Sequence, residues 1–290
     1  MRALVKVRAA VEFLRRADIS NSQNEAEEII AHCLGMNRMN LFRDNPEIGE
    51  KVMQHIETYL QRRAQREPLQ YVLGYTEFHG LVIRVGPGVL IPRPETELLV
   101  EEAVGSIAKL EAHDSQLRFL DLCTGTGCIA LALAKAFPGS AVYGTDTSET
   151  AIHYAEENAR ANGIQNVTFL KGSFFEPLAE KLASHLSCPA FELIISNPPY
   201  VRTAEIKYLQ PEVKDWEPVD ALNGGEDGLD YFKIIIPEAK KYLRSKGLVM
   251  FEMGMGQADA VQEIAKAAGY GHTNLRKDYA GIDRIITIWL

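Results

Sequence analysis

Two short segments carry residue types suited to group transfer, Asn197-Pro198-Pro199-Tyr200 and Asp121-Leu122-Cys123-Thr124-Gly125-Thr126-Gly127. The first follows an apolar run, Leu193-Ile194-Ile195, that reads as a buried parallel strand. That places the tetrapeptide at a strand's carboxyl end, where open α/β sheets bind ligands. Each proline fixes its own φ and pushes the preceding residue toward extended backbone, so Asn197 is held in one pose. A planar amino group, whether an amide or a base NH2, is a poor nucleophile because its lone pair is conjugated away. The barrier of roughly 18–20 kcal/mol to amide rotation measures that conjugation. A fixed side-chain carbonyl from Asn197 and a fixed carbonyl from Pro198 can accept the two N–H bonds and bias the nitrogen toward a tetrahedral shape. Tyr200 can stack on the planar group. On this reading Asn197, Pro198 and Tyr200 are catalytic, and residues 197–200 bind a methyl acceptor. The tetrapeptide also has an ordinary reading as a rigid turn, so the second segment matters.

Asp121 to Gly127 follows a strand-like stretch and opens an apolar run, Ile129-Ala130-Leu131-Ala132-Leu133-Ala134, that reads as a helix. Strand, glycine turn and helix form the first βα unit of a nucleotide-binding sheet, and glycines let a ligand approach backbone at a helix N-terminus. The next apolar segment ends at Asp146, about 20 residues on, where a carboxylate can hold ribose hydroxyls. Gly125-x-Gly127-x-x-Ala130 also fits the dinucleotide fingerprint, so the glycines alone leave nicotinamide cofactors and S-adenosylmethionine both open. Asp121 and the Asn-Pro-Pro-Tyr loop favour the methyl donor. A carboxylate there can meet the ammonium of a methionine moiety but would repel a pyrophosphate, and hydride transfer has no need of the loop. Asp121 also has an ordinary reading as a capping residue.

These motifs resemble the class I methyltransferases that act on amino groups. Three further stretches, Pro68-Leu69-Gln70-Tyr71-Val72-Leu73-Gly74, Leu90-Ile91-Pro92-Arg93-Pro94-Glu95-Thr96-Glu97 and Asn223-Gly224-Gly225-x-Asp227-Gly228-Leu229, narrow the resemblance to the PrmC/HemK family. Its members are peptide chain release factor glutamine methyltransferases. The resemblance implies S-adenosylmethionine as cofactor and bacterial class 1 release factors as partners, with the methyl going to the side-chain amide of the Gly-Gly-Gln glutamine. It implies donor contacts from Asp121, Cys123, Thr124, Gly125, Thr126, Gly127, Asp146, Phe174 and Asn197, and places Arg93 beside the acceptor. Two positions depart from the family: Cys123 stands where glycine is frequent, and Ser173 stands where relatives often carry an adenine-binding aspartate. Adenine then rests on Phe174 and backbone groups. Three competitors share parts of the pattern: a methyltransferase for glutamine on a large-subunit ribosomal protein, a nucleic-acid adenine methyltransferase, and a non-catalytic module that keeps the donor fold.

The elements that must position these residues begin with helices. Ser22-x-x-Glu25 reads as a capping box, Ala26, Ile29, Ile30, Cys33 and Leu34 make one apolar face, and Gly35 stops that helix. Ile48, Val52, Ile56, Tyr59 and Leu60 make another face. Arg62-Arg63-Ala64-Gln65-Arg66 reads as a solvated helix end. Residues 1–75 are expected to form an all-helical substrate-recognition domain, and residues 76–93 a β-hairpin or linker, Val82–Leu90 reading as either. Residues 94–290 then form the methyltransferase domain, opening on Pro94 with Glu95 and Glu97 in a first helical turn. Apolar strands at Leu117–Leu122, Ala141–Thr145, Val167–Leu170, Phe191–Ile195, Leu248–Phe251 and Ile285–Leu290 alternate with helices, the signature of an α/β doubly wound, mostly parallel sheet. The resemblance supplies seven strands in the order 3-2-1-4-5-7-6, the seventh antiparallel. Glu252 ends a strand on the same side and is expected to support the loop.

Composition bounds less. The chain has 290 residues, 46% of them hydrophobic, enough for a sizeable core and two domains. A net charge of −8 argues against phosphate-driven nucleic-acid binding. Cys33, Cys123, Cys128 and Cys188 show no metal-ligand spacing, the seven histidines are scattered, and no metal is expected. No uncharged apolar run reaches the ~18 residues of a membrane span. Met1-Arg2-Ala3-Leu4-Val5-Lys6-Val7-Arg8 reads as the start of a structural helix and not as a transit peptide. A monomeric, reduced, cytoplasmic protein is expected.

Overall fold

A computed structural model describes residues 1–109, 117–178 and 191–290. Cys188 lies outside the described residues. The chain forms two compact units. One is Met1–Tyr75 with Gln210–Trp216, and the other is Thr76–Leu209 with Glu217–Leu290.

The first unit packs helices α1 (Ala3–Arg16), α2 (Ser22–Cys33), α3 (Arg38–Asp44), α4 (Glu50–Ala64) and α5 (Leu69–Leu73). Leu14, Ile29, Ile30, Leu41 and Ile56 are fully buried at its centre, with Val52 and Tyr59 packed against them. Gly35 ends α2 in a left-handed conformation, and Met36 N donates to Ala31 O, closing a Schellman turn. The capping box is not formed. Asn21 precedes the first helical residue and makes no side-chain cap bond, while the Glu25 carboxylate takes the Arg63 guanidinium instead. Arg62, Arg63 and Arg66 are likewise not a solvated end. Arg63 is buried between Glu25 and Glu212, Arg66 donates to Glu212 at 2.8 Å, and Arg62 donates to Glu67. An arginine fork satisfies two carboxylates at once, and a buried cation needs such partners.

A hairpin of β1 (Tyr75–Phe78) and β2 (Leu81–Arg84) follows, the second unit beginning at Thr76. The hairpin's turn is at His79 and Gly80, which both take left-handed φ, the requirement of a two-residue type I′ turn, so of the stretch Val82–Leu90 only the first residues are strand. Helix α6 (Pro94–Ile107) follows, with Pro94 in its first turn. The sheet holds β3 (Arg118–Leu122), β4 (Ala141–Asp146), β5 (Val167–Lys171), β6 (Phe191–Ser196), β7 (Leu243–Glu252), β8 (His272–Lys277) and β9 (Asp283–Trp289). Their spatial order is β5-β4-β3-β6-β7-β9-β8, with β9 antiparallel to β7. This is the seven-stranded order the resemblance implied. Helices α7 (Cys128–Ala136), α8 (Glu149–Ala161), α9 (Pro211–Lys214), α10 (Asp230–Ala239) and α11 (Ala258–Ala267) complete the described set, α9 lying in the first unit. Every residue of α7 from Cys128 to Ala134 is buried, as its unbroken apolar run requires. Strand β8, absent from the apolar pattern, is a polar edge strand, His-Thr-Asn-Leu-Arg-Lys.

Candidate active site

Strand order reverses between β4 and β6 on either side of β3, so the loops leaving β3 and β6 part at a switch point. Leu122 pairs with Ser196 in register, and Ser196 Oγ donates to Leu122 O at 2.6 Å. The next residues, Cys123 and Asn197, therefore leave the sheet side by side. Both line a cavity of about 680 Å³. Its wall also includes Thr124, Gly125, Thr126, Asp146, Phe174 and Pro199.

The glycine turn is held by its neighbours. Asp146 Oδ2 accepts from Gly125 N and its Oδ1 from Ser148 N, both at 2.9 Å, tying the β3 turn to the end of β4. Gly127 is left-handed, and a Cβ there would stand 2.8 Å from the Phe169 ring and 3.2 Å from Ala155 Cα. Cys123, at the position where glycine is frequent, also takes a positive φ of 57°. Asn158, fully buried on α8, donates to Thr126 O at 3.0 Å while accepting from Arg84 N at 2.7 Å. The turn is thereby fastened to the hairpin.

Asp121 has partners other than the expected ligand. It has 0% exposure and stands outside the cavity lining. Its Oδ2 accepts from Thr124 Oγ1 at 2.5 Å and from Ala130 N at 3.2 Å, bracing the turn and the first turn of α7. Oδ1 has no hydrogen-bond partner. Burial, and then the charge of Asp146, pushes the Asp121 carboxyl up to about 7. Burial also raises Asp146.

The charged residues lining the cavity carry one sign only. Asp146, Asp220 and Asp230 line it, and no Lys, Arg or His does so among the described residues. Such a wall repels a pyrophosphate and accommodates a sulfonium and an ammonium. The residues present therefore fit S-adenosylmethionine better than a dinucleotide. Phe174 lines the cavity in a left-handed conformation, its ring edge-on to Tyr231 at 5.7 Å, and Ser173 lies beside it.

The loop Asn197–Tyr200 is anchored on a buried carboxylate. Asn197 Nδ2 donates to Thr96 Oγ1 at 3.1 Å, Thr96 Oγ1 donates to Glu252 Oε2 at 2.7 Å, and Tyr200 OH donates to Glu252 Oε1 at 3.0 Å. Glu252 is buried at 1% exposure. It reaches this place because Ser196 pairs with Phe251, which sets Glu252 level with Asn197. Burial raises the Glu252 carboxyl, and burial with the Glu252 charge raises the Tyr200 phenol. Gln257 Nε2 holds Tyr200 O at 3.0 Å. The Asn-Gly-Gly stretch supplies the loop's other wall. A Cβ on Gly224 would fall 2.7 Å from Tyr200 Cα, and one on Gly228 2.5 Å from Tyr200 O.

Of the expected site residues, Cys123, Thr124, Gly125, Thr126, Asp146, Phe174, Asn197 and Pro199 share the cavity wall, while Asp121, Gly127, Pro198, Tyr200 and Arg93 lie outside it. Arg93 donates to the buried Glu217, which also accepts from Ile91 N, so its guanidinium fixes the entry to α6. Thr96 and Gln257 escaped the sequence reading. Thr96 lies between two glutamates whose helix-start role masked it.

Residues 7–74 match the PrmC N-terminal domain family and residues 113–268 a methyltransferase domain family. A release factor glutamine methyltransferase of Thermodesulfovibrio yellowstonii is 46% identical over 99% of this chain and 98% of its own length. That of Geobacter sulfurreducens is 41% identical over 94% and 92%. The chain belongs to the release factor glutamine methyltransferase family. A methyltransferase of Pyrococcus furiosus shares the fold, with a TM-score of 0.51 and 21% identity over 72% of this chain and 88% of that one. Among the described residues no helix is long and apolar enough to cross a membrane, and no group of His, Cys, Asp and Glu is arranged to hold a metal ion.

Proposed function

We propose that this chain methylates the side-chain amide nitrogen of the glutamine in the Gly-Gly-Gln motif of a bacterial class 1 release factor. The observation that carries the reading is the pose of Asn197. Its amide NH2 is committed to Thr96, which leaves Oδ1 as the acceptor beside a cavity suited to a cationic donor. S-adenosylmethionine supplies an electrophilic methyl on a sulfonium, and the turn at 123–127, Asp146 and Phe174 are the groups that would hold it. Asn197 Oδ1 and the Pro198 carbonyl accept the two N–H bonds of the glutamine amide and weaken its conjugation. Tyr200, fixed by Glu252 and Gln257, backs the loop. No strong base is required, since an amide nitrogen that has gained a fourth bond is a strong acid. Positioning supplies on the order of 7–11 kcal/mol of the barrier reduction, and each preorganised acceptor about 3 kcal/mol in a site shielded from water.

Two glycines offer no side chains to read, so selectivity must come from contacts remote from the glutamine. We assign that reading to residues 1–75. The acidic balance supports a protein that works without binding nucleic acid, and we take it to act as a cytoplasmic monomer. Labelled S-adenosylmethionine incubated with the protein and, separately, release factor, large-subunit ribosomal proteins or nucleic acid tests the assignment. Label is expected in release factor. Label confined to ribosomal protein or nucleic acid overturns it.

A further inference from the structure

A hydroxyl carries one hydrogen, and that constraint gives the chain Asn197–Thr96–Glu252 a direction. An ionised carboxylate only accepts. Thr96 Oγ1 therefore spends its hydrogen on Glu252 Oε2, and Tyr200 OH spends its own on Oε1. What remains of Thr96 Oγ1 toward Asn197 is lone pair, so the group facing it must be a donor. An amide presents NH2 on one side and C=O on the other, and its orientation is decided by the network around it. With NH2 turned to Thr96, C=O is left for the acceptor.

A neutral group at position 252 removes that constraint. If a donor at 252 faces Thr96, the threonine hydroxyl is free to donate to Asn197, and the amide gains by turning over. It would then present NH2 to an incoming NH2, which cannot pair with it. We propose that Glu252 sets the polarity of this hydrogen-bond chain through Thr96, and so selects the face that Asn197 offers to the acceptor nitrogen. Glu252 and Thr96 are positioning residues, acting through Asn197. The inference rests on the acceptor role proposed for Asn197.

Groups from four elements face Glu252. Thr96 and Glu95 face Glu252 from α6, Cys128 from α7, Tyr200 from the acceptor loop and Arg284 from β9. Arg284 is the cation of the set, and it opposes the effect of burial and Glu95. It is itself fixed by Asp278 at 3.1 Å and Met253 O at 3.3 Å. Burial raises the Glu252 carboxyl, and the two hydroxyl donors with Arg284 act against that effect.

Glu252→Gln and Thr96→Val tell a polarity role from a merely structural one, with Thr96→Ser as the variant that keeps the hydroxyl. Each is compared with the unsubstituted enzyme on intact release factor and on release factor whose loop glutamine is replaced by glutamate. Rates are measured with S-adenosylmethionine, and binding by calorimetry with S-adenosylhomocysteine present. The preference for glutamine over glutamate in binding is expected to fall about tenfold in Glu252→Gln and Thr96→Val, the size of one misdirected hydrogen bond. The methylation rate should fall by at least as much, Thr96→Ser should behave as wild type, and Glu252→Gln should keep its donor affinity and melting temperature, whereas Thr96→Val strips a partner from two buried groups and should melt lower. Glu252→Gln with unchanged rate and preference overturns the inference, as does a Glu252→Gln loss that tracks donor affinity or melting temperature. If the unsubstituted enzyme leaves release factor unmethylated, the functional reading fails and the inference with it. Methylation by the wild type with an indifferent Glu252→Gln defeats the polarity role alone.

Discussion

Asp146→Asn is the perturbation whose consequence the structure defines most closely. The carboxylate holds Gly125 N and Ser148 N at 2.9 Å each, one on each oxygen. The asparagine amide keeps the shape but offers one acceptor, so one of the two N–H groups must face an NH2. A hydrogen bond to a charged group contributes about 1.5–3 kcal/mol. Losing it from the turn that lines the cavity proposed for the donor, together with the carboxylate that would accept ribose hydroxyls, predicts weaker donor binding by roughly that amount. The dissociation constant should rise roughly 10- to 150-fold. Calorimetry with S-adenosylmethionine measures it. Burial raises the Asp146 carboxyl, so its protonation begins above the usual carboxylate range. Wild-type donor affinity should therefore fall as pH drops through that raised value, and Asp146→Asn should lose this dependence. Equal affinity in the two proteins at pH 7 would refute the claim that Asp146 organises the donor turn.

Asn197→Ala should lower kcat by roughly 10²–10³-fold, the effect of removing one preorganised polar contact, with little change in donor affinity; steady-state rates and calorimetry decide it. Asp121 has a carboxyl pushed up to about 7, above its unfolded value, so its contribution to stability is complete below the unfolded value and is lost as pH rises toward 7. In Asp121→Asn, a carbonyl oxygen can keep the Thr124 and Ala130 bonds while the NH2 takes the unpartnered side, so denaturant unfolding should lose that part of its pH dependence between about 4 and 7. Arg63→Ala leaves Glu25 without its guanidinium and Glu212 with Arg66 alone, and should cost about 3–5 kcal/mol in chemical denaturation. Donor affinity should be untouched, because every described residue that lines the cavity belongs to the second unit.

Much of this architecture was legible in the sequence because it rests on patterns with one physical meaning. The run Cys128–Ala134 is apolar on all sides and is buried on all sides. Pro94 followed by Glu95 and Glu97 fits the first turn of a helix, and it opens α6. What escaped depends on partners distant in sequence. Strand β8 is polar because it is an edge, so alternation of apolar residues does not mark it. Glu25 satisfies the local rule for a capping box, yet Arg63, 38 positions away, offers its carboxylate a stronger bond. Arg62, Arg63 and Arg66 look like a charged helix end until Glu212, inside the later stretch Gln210–Trp216, proves to belong to the same unit. Thr96 illustrates the same limit at the site. Its hydroxyl matters only because the register of β6 and β7 brings Glu252 beneath Asn197, and a register is not written in any one segment.

The central claim is that the loop at 197–200 holds a glutamine amide for methylation. Mass spectrometry of intact release factor, incubated with the protein and S-adenosylmethionine and then cleaved into peptides, tests it most directly. The account predicts one added methyl, on the side-chain amide nitrogen of the Gly-Gly-Gln glutamine, and its disappearance with Asn197→Ala. A methyl on any other residue, or none with the wild-type protein, would contradict it.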